Sequence, residues 1–571
     1  MKRVNKELIY ILSAMIVCFV VHIAIIHQFT GWLSTDTDGY WLHAATFTGH
    51  DWSGVASKLT SYYGWGYSVL LTIPFMITSN FFAMYKIAVL INVLLCVLIV
   101  PMAYGIVKRV APDINLTGKV LISLATSLYS TYIFESAVSL SETFLFFLNI
   151  LIIFLLIKYC DTNRRVYGVL TSLAVGYSYC THNRCIGIVV AFVILAFFIC
   201  IKKRSLRELF VLLLPLAVML GIKIGVNNWL DLREITTEQP MANTYAATTG
   251  GVREKMNFYG ILSFLQCTLG EIWYTAIGTF MIAVFGIYEI VRRHIVKQSD
   301  GKYSFAYLFA IVSWFFSIGI SVLFCARGEA VLQGRSDIIY YGRYMETTVV
   351  FLFLMGLVYL WKELEKHKEK KSIAGLVFLI GIFLSLMVHH FVSSFIDTGV
   401  NFFSIVAVSS TMIYPKMSIS ILDSSLVALV VGAIVFYLFS TKNKVAKICA
   451  LVFVMGMNIY IGYNASYGVS RVYEEQKSVV NHPTRNEYFN EVCNFVDENE
   501  IDTLYILTKE PYEAFSYQLV MNQISVFTLG TLNEYESCDE GSYVLVCREM
   551  LNEDMLQSLV YENDAYGLCI K

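Results

Sequence analysis

Long uninterrupted apolar runs constrain this chain more than any other feature. Leu8–Val21, Ile87–Val100 and Val189–Ile201 are three of many. A hydrocarbon core about 30 Å thick is crossed by roughly 20 apolar residues in one helix. Backbone groups in lipid must pair within their own segment, and the alternation of a membrane barrel is absent, so the runs are expected to be helices. Composition agrees: of 571 residues, 57% are hydrophobic and only 15% charged, where soluble domains carry roughly a quarter. A net charge of −1 gives no basis for a nucleic-acid partner.

Charge decides which runs cross, because Lys and Arg collect in cytoplasmic loops. The basic loops are Met1–Lys6, Lys108–Lys119, Lys158–Arg165, Lys202–Arg207, Arg292–Lys302, Lys362–Lys371 and Lys442–Lys447. Placing all of them inside gives thirteen spans, near 8–28, 84–107, 119–135, 140–158, 166–181, 185–201, 208–226, 270–291, 303–325, 346–361, 372–391, 424–440 and 445–465. The count requires that Gly64–Ser79, short and carrying Pro74, is a juxtamembrane or re-entrant helix on the outer side instead of crossing. The N-terminal run has no small-residue cleavage site after it and reads as an uncleaved span. The expectation is an all-α polytopic bundle in the cell membrane, with a cytoplasmic N-terminus. Its transmembrane domain covers 1–465, with large outer segments at 28–85, 227–270, 326–345 and 391–424.

From about Ser466 the composition turns polar, and 466–571 is expected to be a small extracytoplasmic α/β domain. Thr503–Leu507, Ile524–Leu529 and Tyr543–Cys547 read as strands, and Val472–Glu498, Pro511–Met521 and Leu551–Val560 as helical stretches. Their alternation suggests a parallel sheet. Neither a P-loop nor GxGxxG is present, so no nucleotide is assigned. The 13 cysteines show no CxxC. Those in apolar runs read as small hydrophobes, and Cys493, Cys538, Cys547 and Cys569 as free thiols.

The threading puts several polar groups on one face. Asp36 and Asp38 follow the first span; a carboxylate against apolar walls suits a general base, and an acid at a helix start is the plainer alternative. Glu142 stands at the outer end of a span, as does Glu135, and Glu142 either orients substrate, pairs with Arg184 or serves as a helix-start acid. His182 and Arg184 lie between two spans. Arginine offers a planar fork for a phosphate, or an anchor that snorkels to headgroups. Arg335, Asp337, Tyr340, Tyr341, Arg343, Tyr344 and Glu346 form a second dense patch. Asn243, Tyr245, Arg253, Lys255, Asn257 and Tyr259 stay unassigned, Glu271 is a weak candidate, and His389-His390 point about 100° apart on a helix. No residue set has metal-ligand spacing.

Asp36-x-Asp38-x-Tyr40-x-x-x-Ala44 resembles the first outer loop of the GT-C superfamily, in the branch of the aminoarabinose transferases and protein O-mannosyltransferases. That branch reads Asp-Glu-x-x-Tyr-x-x-x-Ala, so Asp36 falls on the leading acid, while Thr37 replaces the second and Asp38 is displaced by one. Tyr63-Gly64-Trp65-Gly66-Tyr67, Ser139-Leu140-Ser141-Glu142 and the Gly176–Arg184 stretch resemble later motifs in the same order, over roughly residues 1–230. Tyr341-Gly342-Arg343-Tyr344 also resembles a segment recurrent in Gram-positive GT-C-like proteins.

The resemblance implies a membrane glycosyltransferase that moves a sugar from a polyprenyl-phosphate donor to a lipid, wall-polymer or protein acceptor. Asp36, with Asp38, is then catalytic, and Arg184, His182, Arg343, Arg335, Glu142, Tyr40 and Tyr341 are candidates for lipid-phosphate or substrate contact. A divalent cation, Mg or Mn, bridging Asp36 and phosphate stays open. The competing expectations are a flippase for lipid-linked glycans, which would carry midplane charges and repeats, and a scaffold or sensor binding through its tail.

Overall fold

A computed structural model of the chain describes residues 2–26, 33, 35–56, 64–234, 258–292, 298–326, 336–363, 369–393, 401–412, 419–476 and 486–571. The first helices are α1 (Lys2–Ile26), α2 (Thr35–Phe47), α3 (Ser53–Ala56), α4 (Ser68–Ile77), α5 (Phe81–Val110), α6 (Leu116–Ser127), α7 (Ser130–Glu135), α8 (Glu142–Thr162), α9 (Arg165–Thr181), α10 (Ile186–Lys203) and α11 (Leu206–Glu234). Six more helical segments follow in the bundle: Phe258–Gly278, Ile282–Val291, Ser304–Cys325, Glu346–Glu363, Glu369–Val392 and Ile421–Ser440; Lys444–Gln476 is the last long one.

Among the described residues, nine helices are long and apolar enough to cross a membrane, and eleven are if each of two bent pairs counts as one span. The other two expected spans coincide with α6, of 12 residues, and α9, of 17, both shorter than the roughly 18 residues that cross in a straight helix. The ten-residue α4, with Pro74 inside it, is too short to cross and leaves Met76 and Ile77 exposed, in line with its expected place at the surface.

The expected straight span over 270–291 is broken. Phe258–Gly278 and Ile282–Val291 meet at 106°, because Phe280 and Met281 take φ of +52° and +66°. Beyond the bend, Ile282–Val291 presses onto Glu346–Glu363. A Cβ on Gly286 would strike the Leu352 carbonyl, and one on Gly356 the Ile282 carbonyl. Small residues that let two backbones meet are how helices gain contact where lipid supplies no hydrophobic drive. Helix α11 continues to Glu234 and helix resumes at Phe258, so 235–257 alone of the expected second outer loop falls outside the described residues.

The C-terminal sheet contains β1 (Thr503–Leu507), β2 (Ser525–Leu529), β3 (Tyr543–Cys547), β4 (Leu559–Glu562) and β5 (Tyr566–Ile570), in the order β2-β1-β3-β5-β4. The first three strands pair in parallel, as expected, but β5 runs antiparallel to both β3 and β4, so the sheet is mixed. Leu551–Val560 is not one helix: it is helical over Glu553–Gln557 and then enters β4. Lys444–Gln476 is helical well past the expected span end at 465, and the next helix is Glu487–Glu498.

This domain docks on the first outer segment. Trp52 packs edge-on against Phe515 at 5.8 Å and Phe75 at 5.6 Å. Asn522 Nδ2 donates to the Ser79 carbonyl at 2.8 Å. A Cβ on Gly54 would lie 2.5 Å from the Val526 carbonyl, so α3 covers the edge strand β2, which would otherwise offer unpaired backbone groups. The domain and α2 therefore share one face of the bundle.

Candidate functional site

Helix α2 opens with two acids in its first turn, where the positive end of the macrodipole favours them. Positions 36 and 38 lie about 200° apart around a helix, so their carboxylates diverge. The Asp36 side chain is 34% exposed and accepts from Arg343 Nη1. Asp38 is 1% exposed; its Oδ1 accepts from Thr37 Oγ1 at 3.3 Å and its Oδ2 has no hydrogen-bond partner among the described residues. Burial, with the Asp36 charge adding to it, pushes the Asp38 carboxyl well above the usual carboxylate range.

Arg343 sits on the 3₁₀ turn Gly342–Tyr344, which Gly342 seats against the Tyr274 ring. Its Nε donates to Glu142 Oε1 at 2.5 Å. The same Glu142 oxygen accepts from Arg184 Nη1 at 3.0 Å, so the pairing expected of Glu142 and Arg184 is present. The result is a line of alternating charge, Asp36–Arg343–Glu142–Arg184, drawn from four separate elements. Both guanidinium groups are buried and backed by rings: Arg184 over Tyr344 at 5.3 Å and Arg343 over Phe403 at 6.0 Å.

Arg184 has donors left over. Its Nε and Nη2 are buried and have no hydrogen-bond partner among the described residues. These two atoms make one edge of the guanidinium plane, the edge that matches two oxygens of a phosphate or carboxylate. His182 lies beside it, with Nδ1 accepting from the Arg184 backbone N–H at 3.1 Å; a neutral ring then carries its proton on Nε2. Tyr40 shares a 2.7 Å hydrogen bond with Ser141 Oγ, next to Glu142, and Trp41 Nε1 donates to Ser139 Oγ at 3.1 Å. The Tyr341 ring packs at a tilt against Tyr344 and Phe324, with centroids 5.5 and 6.2 Å away, on the flank.

The structure thus brings Asp36, Tyr40, Glu142, His182, Arg184, Tyr341 and Arg343 together and turns Asp38 into the interior. Arg335, Asn243, Tyr245, Arg253, Lys255 and Asn257 lie outside the described residues. Tyr259 is 75% exposed.

Lys223 and the His43–Glu234 pair were not singled out from sequence, whereas Glu346 was. Lys223, on α11, donates to the Tyr179 carbonyl at 2.9 Å and to Asn183 Oδ1 at 2.8 Å. A lone lysine in an apolar run is the signal that marks it. His43 on α2 bonds both oxygens of Glu234, the last residue of α11, at 2.9 and 3.0 Å. Glu346 accepts from Thr131 at 2.7 Å and from Tyr274. Among the described residues, no group of three or more His, Cys, Asp or Glu is placed to hold a metal ion.

No family model matches the sequence, and no curated protein matches it. Solved structures do. ArnT from Cupriavidus metallidurans in the apo state superposes with a TM-score of 0.51 at 11% identity, covering 100% of this chain and 98% of that one. The same protein bound to undecaprenyl phosphate gives 0.50 at 10% identity, over 99% and 98%. Over nearly its whole length this chain is similar in fold to these ArnT structures.

Proposed function

We propose that this protein is a membrane glycosyltransferase that moves a sugar from a polyprenyl-phosphate donor to an acceptor hydroxyl on the outer face. The observation that carries the reading is the charge line Asp36–Arg343–Glu142–Arg184, which ends in a buried guanidinium edge with no partner among the described residues. A carboxylate open to solvent at one end and vacant phosphate-matched donors at the other are what such a transfer requires. The fold adds support, since an ArnT structure of that fold was crystallised with undecaprenyl phosphate.

Asp36 takes the proton of the acceptor hydroxyl. The oxygen attacks the anomeric carbon from the side opposite the phosphate, the carbon–oxygen bond to phosphate breaks, and the phosphate leaves with the electron pair. One displacement inverts the anomeric configuration. A phosphate leaves without a second carboxylic acid to protonate it, unlike the leaving group of a glycosidase. Fixed guanidinium donors meet its developing charge instead. Arg343 holds the base and, through Glu142, the phosphate-facing Arg184 in one rigid array. Asp38, buried and with its carboxyl pushed up by that burial, serves the packing of α2.

The test reconstitutes the chain in liposomes loaded with polyprenyl-phosphate sugars and a membrane extract as acceptor source. Mass spectrometry follows the lipids. Release of free polyprenyl phosphate with loss of the sugar-lipid is the expected result. Intact sugar-lipid moving between leaflets would replace the transferase by a flippase.

A further inference from the structure

Glu135 is fully buried at the end of the six-residue α7, and neither of its carboxyl oxygens has a hydrogen-bond partner among the described residues. A buried polar group without a partner destabilises a fold. An acid in the last turn of a helix also opposes the macrodipole, so capping does not explain it. Packing gains nothing from this carboxyl, and it takes no part in the transfer steps above.

Its surroundings are those of the charge line. Four residues before it, on the same face of α7, Thr131 donates to Glu346 at 2.7 Å. Beside it, the Phe134 ring packs at 5.2 Å against Phe403, the ring that backs Arg343. The electrostatic neighbours of Glu135 are Glu142, Arg343, Glu346 and Arg184, and Arg343 in turn has Glu135 among its own. Residues 136–141 join Glu135 to Glu142 and are tied to α2 by the Tyr40–Ser141 and Trp41–Ser139 hydrogen bonds. The second oxygen of Glu142, Oε2, is likewise buried and without a partner among the described residues. Three vacant carboxyl oxygens and the vacant edge of Arg184 therefore belong to one buried cluster.

The charges around Glu135 are two of each sign, so they call for no counter-ion. What its oxygens lack is donors. Hydroxyl groups are neutral donors, and the two oxygens of one carboxyl group can accept from hydroxyls on neighbouring carbons of a sugar ring. A phosphate-linked sugar brings both chemistries in one molecule: phosphate oxygens for the Arg184 edge and ring hydroxyls for the vacant acceptors.

We infer that Glu135 is a sugar-binding residue whose carboxyl group accepts ring hydroxyls of the phosphate-linked sugar. The inference rests on the donor class proposed above and adds to it where the sugar, as distinct from the phosphate, is recognised. Glu142 lends its Oε2 to the same subsite, while Arg184 and Asp36 keep the roles already given.

The experiment measures binding to the full chain in phosphatidylcholine nanodiscs. The probes are bare undecaprenyl phosphate, the same lipid carrying glucose, galactose, mannose or xylose, and deoxy analogues of the sugar that binds best. Wild type should hold that sugar-lipid at least about tenfold more tightly than one of its deoxy analogues, the size of a hydrogen bond lost from a buried acceptor. Glu135→Leu should erase the difference and leave bare undecaprenyl phosphate unchanged; Glu135→Gln, which keeps a hydroxyl-pairing amide, should restore part of it. The leucine variant removes a buried group that has no partner, so it should fold. If it does not, Glu135→Gln decides the matter by a discrimination smaller than that of wild type. Full discrimination in Glu135→Leu would make Glu135 a packing residue and overturn the inference. Equal weakening of bare undecaprenyl phosphate would place the carboxyl in the array that holds the phosphate, and would overturn it too. Loss of discrimination in EDTA would assign the vacant oxygens to a divalent ion instead of hydroxyls, with the same consequence. A wild type that binds the sugar-lipids but ignores deoxygenation has no hydroxyl subsite, which also overturns the inference. A wild type that binds none of the undecaprenyl phosphate lipids removes the polyprenyl-phosphate reading itself, a result distinct from failure at Glu135 alone.

Discussion

Replacing Glu142 by Gln keeps the shape of the side chain and one acceptor oxygen but removes the charge that joins the two arginines. Glu142 is 1% exposed and takes hydrogen bonds from Arg343 and Arg184 on a single oxygen. Removing one member of a buried ion pair costs about 3–5 kcal/mol, because the other charge stays buried without compensation. Arg343 retains Asp36 in the variant, whereas Arg184 loses its only paired carboxylate among the described residues. One stranded cation rather than two places the cost near the lower end, about 3 kcal/mol. Unfolding in mixed SDS and dodecyl maltoside micelles, followed by tryptophan fluorescence, reads this directly. Glu271→Gln is the control: Glu271 is fully buried in the same bundle, and among the described residues its carboxylate pairs with no cation, so its loss should cost less than about 1 kcal/mol. If Glu142→Gln is no more damaging than Glu271→Gln, the charge line does not hold the site together and the reasoning fails.

Two further outcomes follow from the C-terminal domain. Burial pushes the Cys493 thiol up to about 12, so at pH 8 only about one thiol in 10⁴ is the reactive thiolate; iodoacetamide should leave Cys493 unlabelled in the folded protein, faster labelling should appear as pH rises, and rapid labelling at pH 8 would contradict the packing of Glu487–Glu498. Gly54→Leu should drive α3 off the Val526 carbonyl and expose β2, which limited proteolysis would read as new cleavage between the bundle and the domain; an unchanged digest would refute the docking.

Much of the bundle was readable because lipid imposes a simple rule on composition. Apolar runs and basic loops place the spans, and that same ladder puts Asp36, Glu142, Arg184 and Arg343 on one face. What the ladder does not contain is pairing. Asp36 and Arg343 are 307 positions apart, and nothing local to either says that they touch. The break at Phe280 and Met281 was equally hidden, since neither residue type favours positive φ; the close crossing at Gly286 and Gly356 is what makes the bend worthwhile. Two features were readable and missed. Lys223 stands alone in an apolar run, and Asn563-Asp564 is a turn signal. Asn563 Oδ1 accepts from the backbone of Ala565 and Tyr566 at 3.0 and 2.8 Å, and so turns β4 back into β5, the antiparallel pair that makes the sheet mixed.

The central claim is that Asp36 takes the acceptor proton. Single-turnover transfer by Asp36→Asn, with the donor prebound and the sugar-lipid counted by mass spectrometry, tests it most directly. Loss of a general base lowers such a rate by about 10²–10⁴-fold, with undecaprenyl phosphate still bound as in wild type, and that is the result expected. Transfer by Asp36→Asn at the wild-type rate would contradict the account.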